Sequence, residues 1–289
     1  MSAPTLPQLL VSHWEAAPAV DAWAAAAAGL YVWGAWRVRG RWPALRTLAF
    51  MGGLAAIVLA LQSGLSAYDD RLLSAHMVQH IILLLVAPLL ILWGRPVMLA
   101  LRALPRRGRR ILDSTTQPLR VLGHWSVGLL TFYAVVIVPH IPAVYDATLS
   151  HPLVHELEHV AFLAGGLLFL WPLFGRPAGR GAVGSVAALC YVIAAMPSCA
   201  LVGAYLNRAT TVLYAPYAQA GRALGVSAVN EQQHAGAIMW VGAHLILTAV
   251  ALWVLGSKLV AEERRQRVRD ALEDRTRLAP SGHEGTALW

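Results

Sequence analysis

Charge is scarce in this sequence: Asp, Glu, Lys and Arg make up 13% of its 289 residues, against 57% hydrophobic. Ordinary soluble domains devote about a quarter of their residues to charge, so a conventional solvated surface is excluded. Cysteine is scarcer still. Cys190 and Cys199 are the only two, and nine positions along one helix set them about 13 Å apart, too far for a disulfide. A disulfide framework is thereby excluded, as is the CxxC or CxxxC of soluble copper and zinc carriers. Long-period repeats and low-complexity domains are lacking too, apart from the alanine run Ala24–Ala28. The stretch before the first apolar run has neither a basic n-region nor a small-residue cleavage site, so no cleaved signal peptide is expected.

What is there is a series of near-uninterrupted apolar runs of about 20 residues, the length a helix needs to cross a bilayer. Seven are expected: Val20–Trp36, Leu48–Ser66, Ser74–Trp93, Leu119–Val138, Pro152–Phe174, Val183–Leu206 and Ala235–Gly256. The expectation is an all-α, polytopic bundle of seven transmembrane helices. Residues 1–19 form an N-terminal segment, 20–257 the membrane domain and 258–289 a charged tail that begins helical and ends rich in Pro, Gly and Ser.

The net charge of +8 is read as topology rather than nucleic-acid binding, because of where the cations fall. Of 23 Lys and Arg, 20 lie between spans one and two, three and four, five and six, or in the tail; Arg71, Arg208 and Arg222 are the exceptions. The positive-inside rule then places the N-terminus outside and the C-terminus in the cytoplasm, which requires an odd number of spans. The basic loop Arg95–Arg120 reads as a topology determinant lying on anionic headgroups.

With that topology, seven of eleven histidines gather at the outer leaflet. His76 and His80 open span three, one helical turn apart on one face. His140 follows span four, His151, His155 and His159 begin span five, and His234 precedes span seven. His80 and His159 lie roughly 9 and 10 Å inside their span ends. Met196 and Cys199, three residues apart on span six with Pro197 between them, reach the same layer. Ionisable groups inside a span are expensive enough that function is the default reading. Imidazole suits copper, zinc and iron, and sulfur suits Cu(I). A metal site is therefore expected at the pairs His76/His80 and His155/His159, with Met196, Cys199 and His234 as lesser candidates. Neutral imidazole is the ligating form, so binding should weaken as pH falls.

Two alternatives stay open. His155-Glu156-Leu157-Glu158-His159 satisfies H-E-x-x-H, the zinc-binding pattern in which glutamate is the general base of a metalloprotease; its third ligand would come from another span, such as His76, His80 or His140. Paired histidines on facing helices also suit a bis-His haem in an electron-transfer protein. Glu158 and Glu156 are both candidates to orient an imidazole. Asp146 and Glu231 could draw in a cation, although carboxylates so placed usually cap helices.

The blocks SAHMVQHIILLLVAPLLILWGRP, PHIPAVYDATLSHPLVHELEHVAFLAGGLLFLWPLFG, MPSCALVGAYL and EQQHAGAIMW, in that order from Ser74 to Leu255, resemble the CtaG family of caa3-type cytochrome c oxidase assembly factors, of the multi-span type. The resemblance implies a multi-pass protein of the bacterial plasma membrane, not itself an enzyme. It would be needed for an active haem-copper oxidase and would handle copper at the outer face. Its partners would be oxidase subunits or other assembly factors, with no nucleic acid involved. The residues carried over are His76, His80, His140, His155 and His159. Pro139 and His234 depart from the family pattern, standing where an aromatic and an aliphatic residue are expected.

Overall fold

The structure is a computed structural model in which residues 6–38, 40–116, 122–175, 185–218 and 224–278 are described. Every regular element among them is helical, as the apolar periodicity requires. In chain order the helices are α1 (Leu6–Val11), α2 (Pro18–Arg37), α3 (Ala44–Gln62), α4 (Gly64–Ala67), α5 (Leu73–Ile81), α6 (Ala87–Trp93), α7 (Pro96–Ala103), α8 (Arg106–Thr116), α9 (Trp125–Ile137), α10 (Pro142–Ser150), α11 (Pro152–Leu170), α12 (Ser185–Arg208), α13 (Ala228–Ala237) and α14 (Ala243–Leu278), besides a single turn at 215–218. π-helical turns join α5 to α6 (Ile82–Val86) and α13 to α14 (Ile238–Gly242), and a third, Trp171–Gly175, extends α11. The expected starts of spans four and six at Leu119 and Val183, the arginines Arg39, Arg120, Arg176, Arg180 and Arg222, and the tail beyond Leu278 lie outside the described residues.

Five helical stretches are long and apolar enough to cross a membrane: Ala44–Ala67, Leu73–Ala103, Pro152–Gly175, Val186–Arg208 and Ala228–Asp274. A sixth is present if the bent pair Trp125–His140 and Pro142–Ser150 counts as one, its halves meeting at 75°. The sequence pattern suggests seven. The remaining segment, α2, is 20 residues long, but its alanines, tryptophans and Asp21 leave it less apolar than the others. The bend after His140 breaks the single straight span that the apolar pattern suggests. It follows from Pro139 and Pro142, which have no backbone N–H to continue the ladder.

The continuous run from α5 through α6 is the centre of the bundle, packed by α3, α11, α13 and α14. Its π-helical turn holds Leu83, Leu84 and Leu85, each almost fully buried. Against this turn lies Gly166 of α11, where a Cβ would sit 1.9 Å from the Leu84 carbonyl oxygen. Only glycine permits that approach. Glu158, Phe162 and Gly166 recur every four residues and so line one face of α11. All three are buried, and the glycine contact presses that face onto α5.

At the opposite end of the bundle Tyr31 donates to the Gly94 carbonyl at 2.7 Å, and Trp42 Nε1 donates to the Tyr31 hydroxyl at 2.9 Å. Arg46 and Arg102 lie over the Trp42 ring, 5.0 and 5.7 Å from its centroid. Cations therefore gather at one end and histidines at the other.

Candidate metal centre

The histidine end is built on α5, whose first turn is fixed from α13: Glu231 accepts from the Ser74 backbone N–H at 3.0 Å and from the Ser74 hydroxyl. This is the capping role open to Glu231 in the sequence. Gln79 donates to the Ala60 carbonyl at 3.0 Å, locking the rotation of α5 against α3. His76 and His80, one turn apart, then project together toward α11, both fully buried. Phe162 of α11 stacks on the His80 ring at 3.9 Å.

Hydrogen bonding assigns the tautomers. The Tyr217 hydroxyl donates to the Asp69 carbonyl, so its oxygen is left to accept from His76 Nδ1 at 3.2 Å. His76 Nε2 therefore carries a lone pair. His80 Nε2, 2.7 Å away, is the donor to it, and His80 Nδ1 is left buried without a partner. His140 Nδ1 donates to the Val136 carbonyl at 2.7 Å, which turns its bare Nε2 toward Met77 Sδ at 3.4 Å. A ring nitrogen held by a backbone carbonyl, with the other left free, is the arrangement common among metal-ligating histidines.

Two carboxylates complete the group. Glu158 places Oε2 3.6 Å from His76 Nε2 and Oε1 3.7 Å from His80 Nε2. Asp69, between α4 and α5, places Oδ2 3.6 Å from His155 Nε2. The ligand atoms of Asp69, His155 and His159 all lie within 4.8 Å of one another, and so do those of His76, His155 and Glu158. Asp69 Oδ2, His155 Nε2, His159 Nε2 and both Glu158 oxygens are buried with no hydrogen-bond partner among the described residues. Burial of unpaired polar groups costs several kcal/mol each in general, and a cation among these donors would offset that cost. Burial pushes the Asp69 carboxyl from 3.8 up to about 6, with Asp70 adding to the rise while His76 and Gln79 oppose it.

A cavity of about 750 Å³ reaches the cluster from the histidine end, between the start of α2, the end of the α3–α4 stretch and α11. Asp69, His155 and His159 line it, together with Glu15, Asp70 and Glu156. These four carboxylates outnumber the one cation of the lining, Arg71, which pairs with Asp70 at 3.6 Å, and make the cavity a cation-attracting mouth.

Of the residues singled out in the sequence, His76, His80, His140, His155 and His159 come together. The three lesser candidates do not join them. His234 is exposed. Met196 packs half-buried against the apolar core, and Cys199 is buried beside Ser198. His151 is an exposed residue at the start of α11. Glu156 is exposed and borders the cavity, whereas Glu158 is the buried one. Sequence reasoning did not find Asp69, Tyr217 or Met77. Met77 lies inside the HMVQH block between the two histidines. Asp69 had a weak signal as half of an Asp-Asp pair facing a histidine layer. Tyr217, far along the chain, had none.

Residues 29–259 match the model of a family described as cytochrome c oxidase caa3 assembly factor. Among curated proteins the chain is 29% identical to an uncharacterised protein of Mycobacterium leprae over 237 residues, 77% of this chain and 36% of that protein. It is also 29% identical to an uncharacterised protein of Mycobacterium bovis over 255 residues, 82% of this chain and 39% of the other. The chain thus spans well under half the length of these curated relatives. No solved structure matches it.

Proposed function

The chain belongs to the cytochrome c oxidase caa3 assembly factor family, and on that premise we propose that it takes up copper for the oxidase in the buried histidine and carboxylate cluster at one end of its bundle. The observation that carries the reading is the set of five buried donor atoms, on Asp69, His155, His159 and Glu158, that have no hydrogen-bond partner among the described residues yet converge within ligand range. Neutral imidazoles supply nitrogen ligands, the carboxylates supply countercharge, and Met77 adds a sulfur close to His140. Copper tolerates all three donor types.

In this reading α2 is the seventh span, the histidine end faces outside and the arginine end faces the cytoplasm of a bacterial plasma membrane. The protein delivers rather than transforms, acting on oxidase subunits or fellow assembly factors. Zinc hydrolysis through Glu156 is less well supported, since the carboxylate against His76 is that of Glu158. Haem is also less well supported: across the two facing helices the His76 and His155 rings lie 5.2 Å apart, and Phe162 stacks on His80 at 3.9 Å where a macrocycle would have to lie.

Metal analysis of the full chain purified in mild detergent, paired with a visible spectrum, tests this. Copper is expected, with loss on His76→Ala or His155→Ala while helicity persists. Zinc alone, or a Soret band, would overturn it.

A further inference from the structure

The donors form two groups that overlap in one side chain. Asp69, His155 and His159 meet at the floor of the cavity, and His76, His155 and Glu158 meet behind it. Resting on the copper-binding reading above, we propose that these are two successive stations on one path: the cation is held first by Asp69, His155 and His159, then by His76, His155 and Glu158, keeping His155 as its ligand while it moves inward.

Four observations carry this. Exposure falls along the path: the His155 side chain is 21% exposed, Asp69 7%, Glu158 3% and His76 0%. The cavity reaches the first group, and neither His76 nor Glu158 lines it. Ligands about 2.1 Å from a metal lie within about 4.2 Å of each other, so groups that already fit within 4.8 Å close on an ion with small side-chain adjustments. Each group also contains one carboxylate and two imidazoles. A monovalent cation is then neutralised at whichever station holds it, and its step inward leaves the uncompensated carboxylate at Asp69, beside the cavity, rather than at Glu158 in the apolar interior, where an unpaired charge is costlier. Cu(I) is such a monovalent cation.

Sharing also limits occupancy. Both groups draw on the one His155 imidazole, and two cations side by side would repel. The path therefore carries a single ion at a time. The remaining freedom lies with His155 itself, the least enclosed member of the inner group.

The test uses the full chain in lipid nanodiscs, supplied anaerobically with Cu(I) against a chromophoric Cu(I) chelator, with stoichiometry, uptake rate and release rate all read. The wild type is expected to hold one Cu(I) per chain. Asp69→Asn is expected to slow uptake by about tenfold with retention little changed, and Glu158→Gln to speed release by about tenfold with early uptake little changed, the lower end of the usual effect of losing a metal-site group. His159→Gln and His76→Gln repeat the outer and inner arms should either carboxamide variant lose its helical circular dichroism. Two coppers per chain, or outer and inner variants that alter uptake and release alike, would overturn the relay and leave copper binding standing. A wild-type chain that takes up no Cu(I) would overturn copper binding, and the relay with it.

Discussion

Glu158 of α11 and His76 of α5 face each other across the bundle with Oε2 3.6 Å from Nε2, their side chains 3% and 0% exposed. Among the described residues no hydrogen bond satisfies either oxygen of that carboxylate. In an apolar interior such a group is tolerated when a proton or a cation joins it.

Glu158→Gln should therefore weaken copper binding by roughly 10- to 100-fold, while Glu156→Gln, altering an exposed side chain, leaves it within about twofold. Competition titration of the two variants compares them directly. The reverse order of effects would remove Glu158 from the site and revive the H-E-x-x-H reading.

Gly166→Ala should destabilise the chain by about 1–3 kcal/mol, as overpacking does in general, because the new methyl would meet the Leu84 carbonyl at 1.9 Å. Backbone cannot yield as a side-chain tip does, so α11 must retreat from α5 and metal binding should weaken as well. Gly29, with nothing within 4 Å of a Cβ, is the control; alanine there should be neutral or stabilising by about 0.5–1 kcal/mol. Thermal unfolding in one detergent ranks them.

The raised Asp69 value of about 6 has two consequences of known sign. Its folded value exceeds its unfolded one, so its contribution to the stability of the metal-free protein is present below about 4 and lost as pH rises through about 6. Copper uptake changes in the opposite sense, because a protonated carboxyl is no ligand, and it should fall as pH drops below about 6. Subtracting Asp69→Asn profiles from wild type isolates both effects from the histidines; identical profiles would show that Asp69 does not titrate there.

His234→Ala, Met196→Leu and Cys199→Ala should each leave bound copper unchanged. His234 is exposed, and the two sulfurs pack among core side chains. Metal content per chain, measured on each purified variant, decides it; a loss at any one would bring α12 or α13 into the site.

Single cysteines at His13 and Glu262, introduced with Cys190 and Cys199 replaced by serine, should report opposite sides of the membrane. His13 should react with an impermeant maleimide in intact cells and Glu262 only after permeabilisation. Labelling of both from one side would mean that α2 does not span.

Much of the site was legible in the sequence, and what was missed is instructive. The pairs His76/His80 and His155/His159 were readable because spacing by four places side chains on one face of a helix whatever that helix packs against. Glu156 and Glu158 flank the face of the second pair, and spacing alone does not say which flank meets a neighbour. The rise per residue predicts that Met196 and Cys199 reach the depth of the histidines, but depth says nothing about rotation about the helix axis.

The sequence by itself determined the helices, their apolar lengths, the histidine end and the arginine end, because hydropathy and charge act residue by residue on a chain that must satisfy its backbone within each helix. Tertiary structure alone decided that Glu158 faces inward, that Asp69 joins His155 and His159 at the cavity, and that His155 belongs to two donor groups at once. Those outcomes depend on how closely and at what rotation α11 meets α5. That is set by the contact of Gly166 with a π-helical turn, a match of shapes between segments distant in the chain.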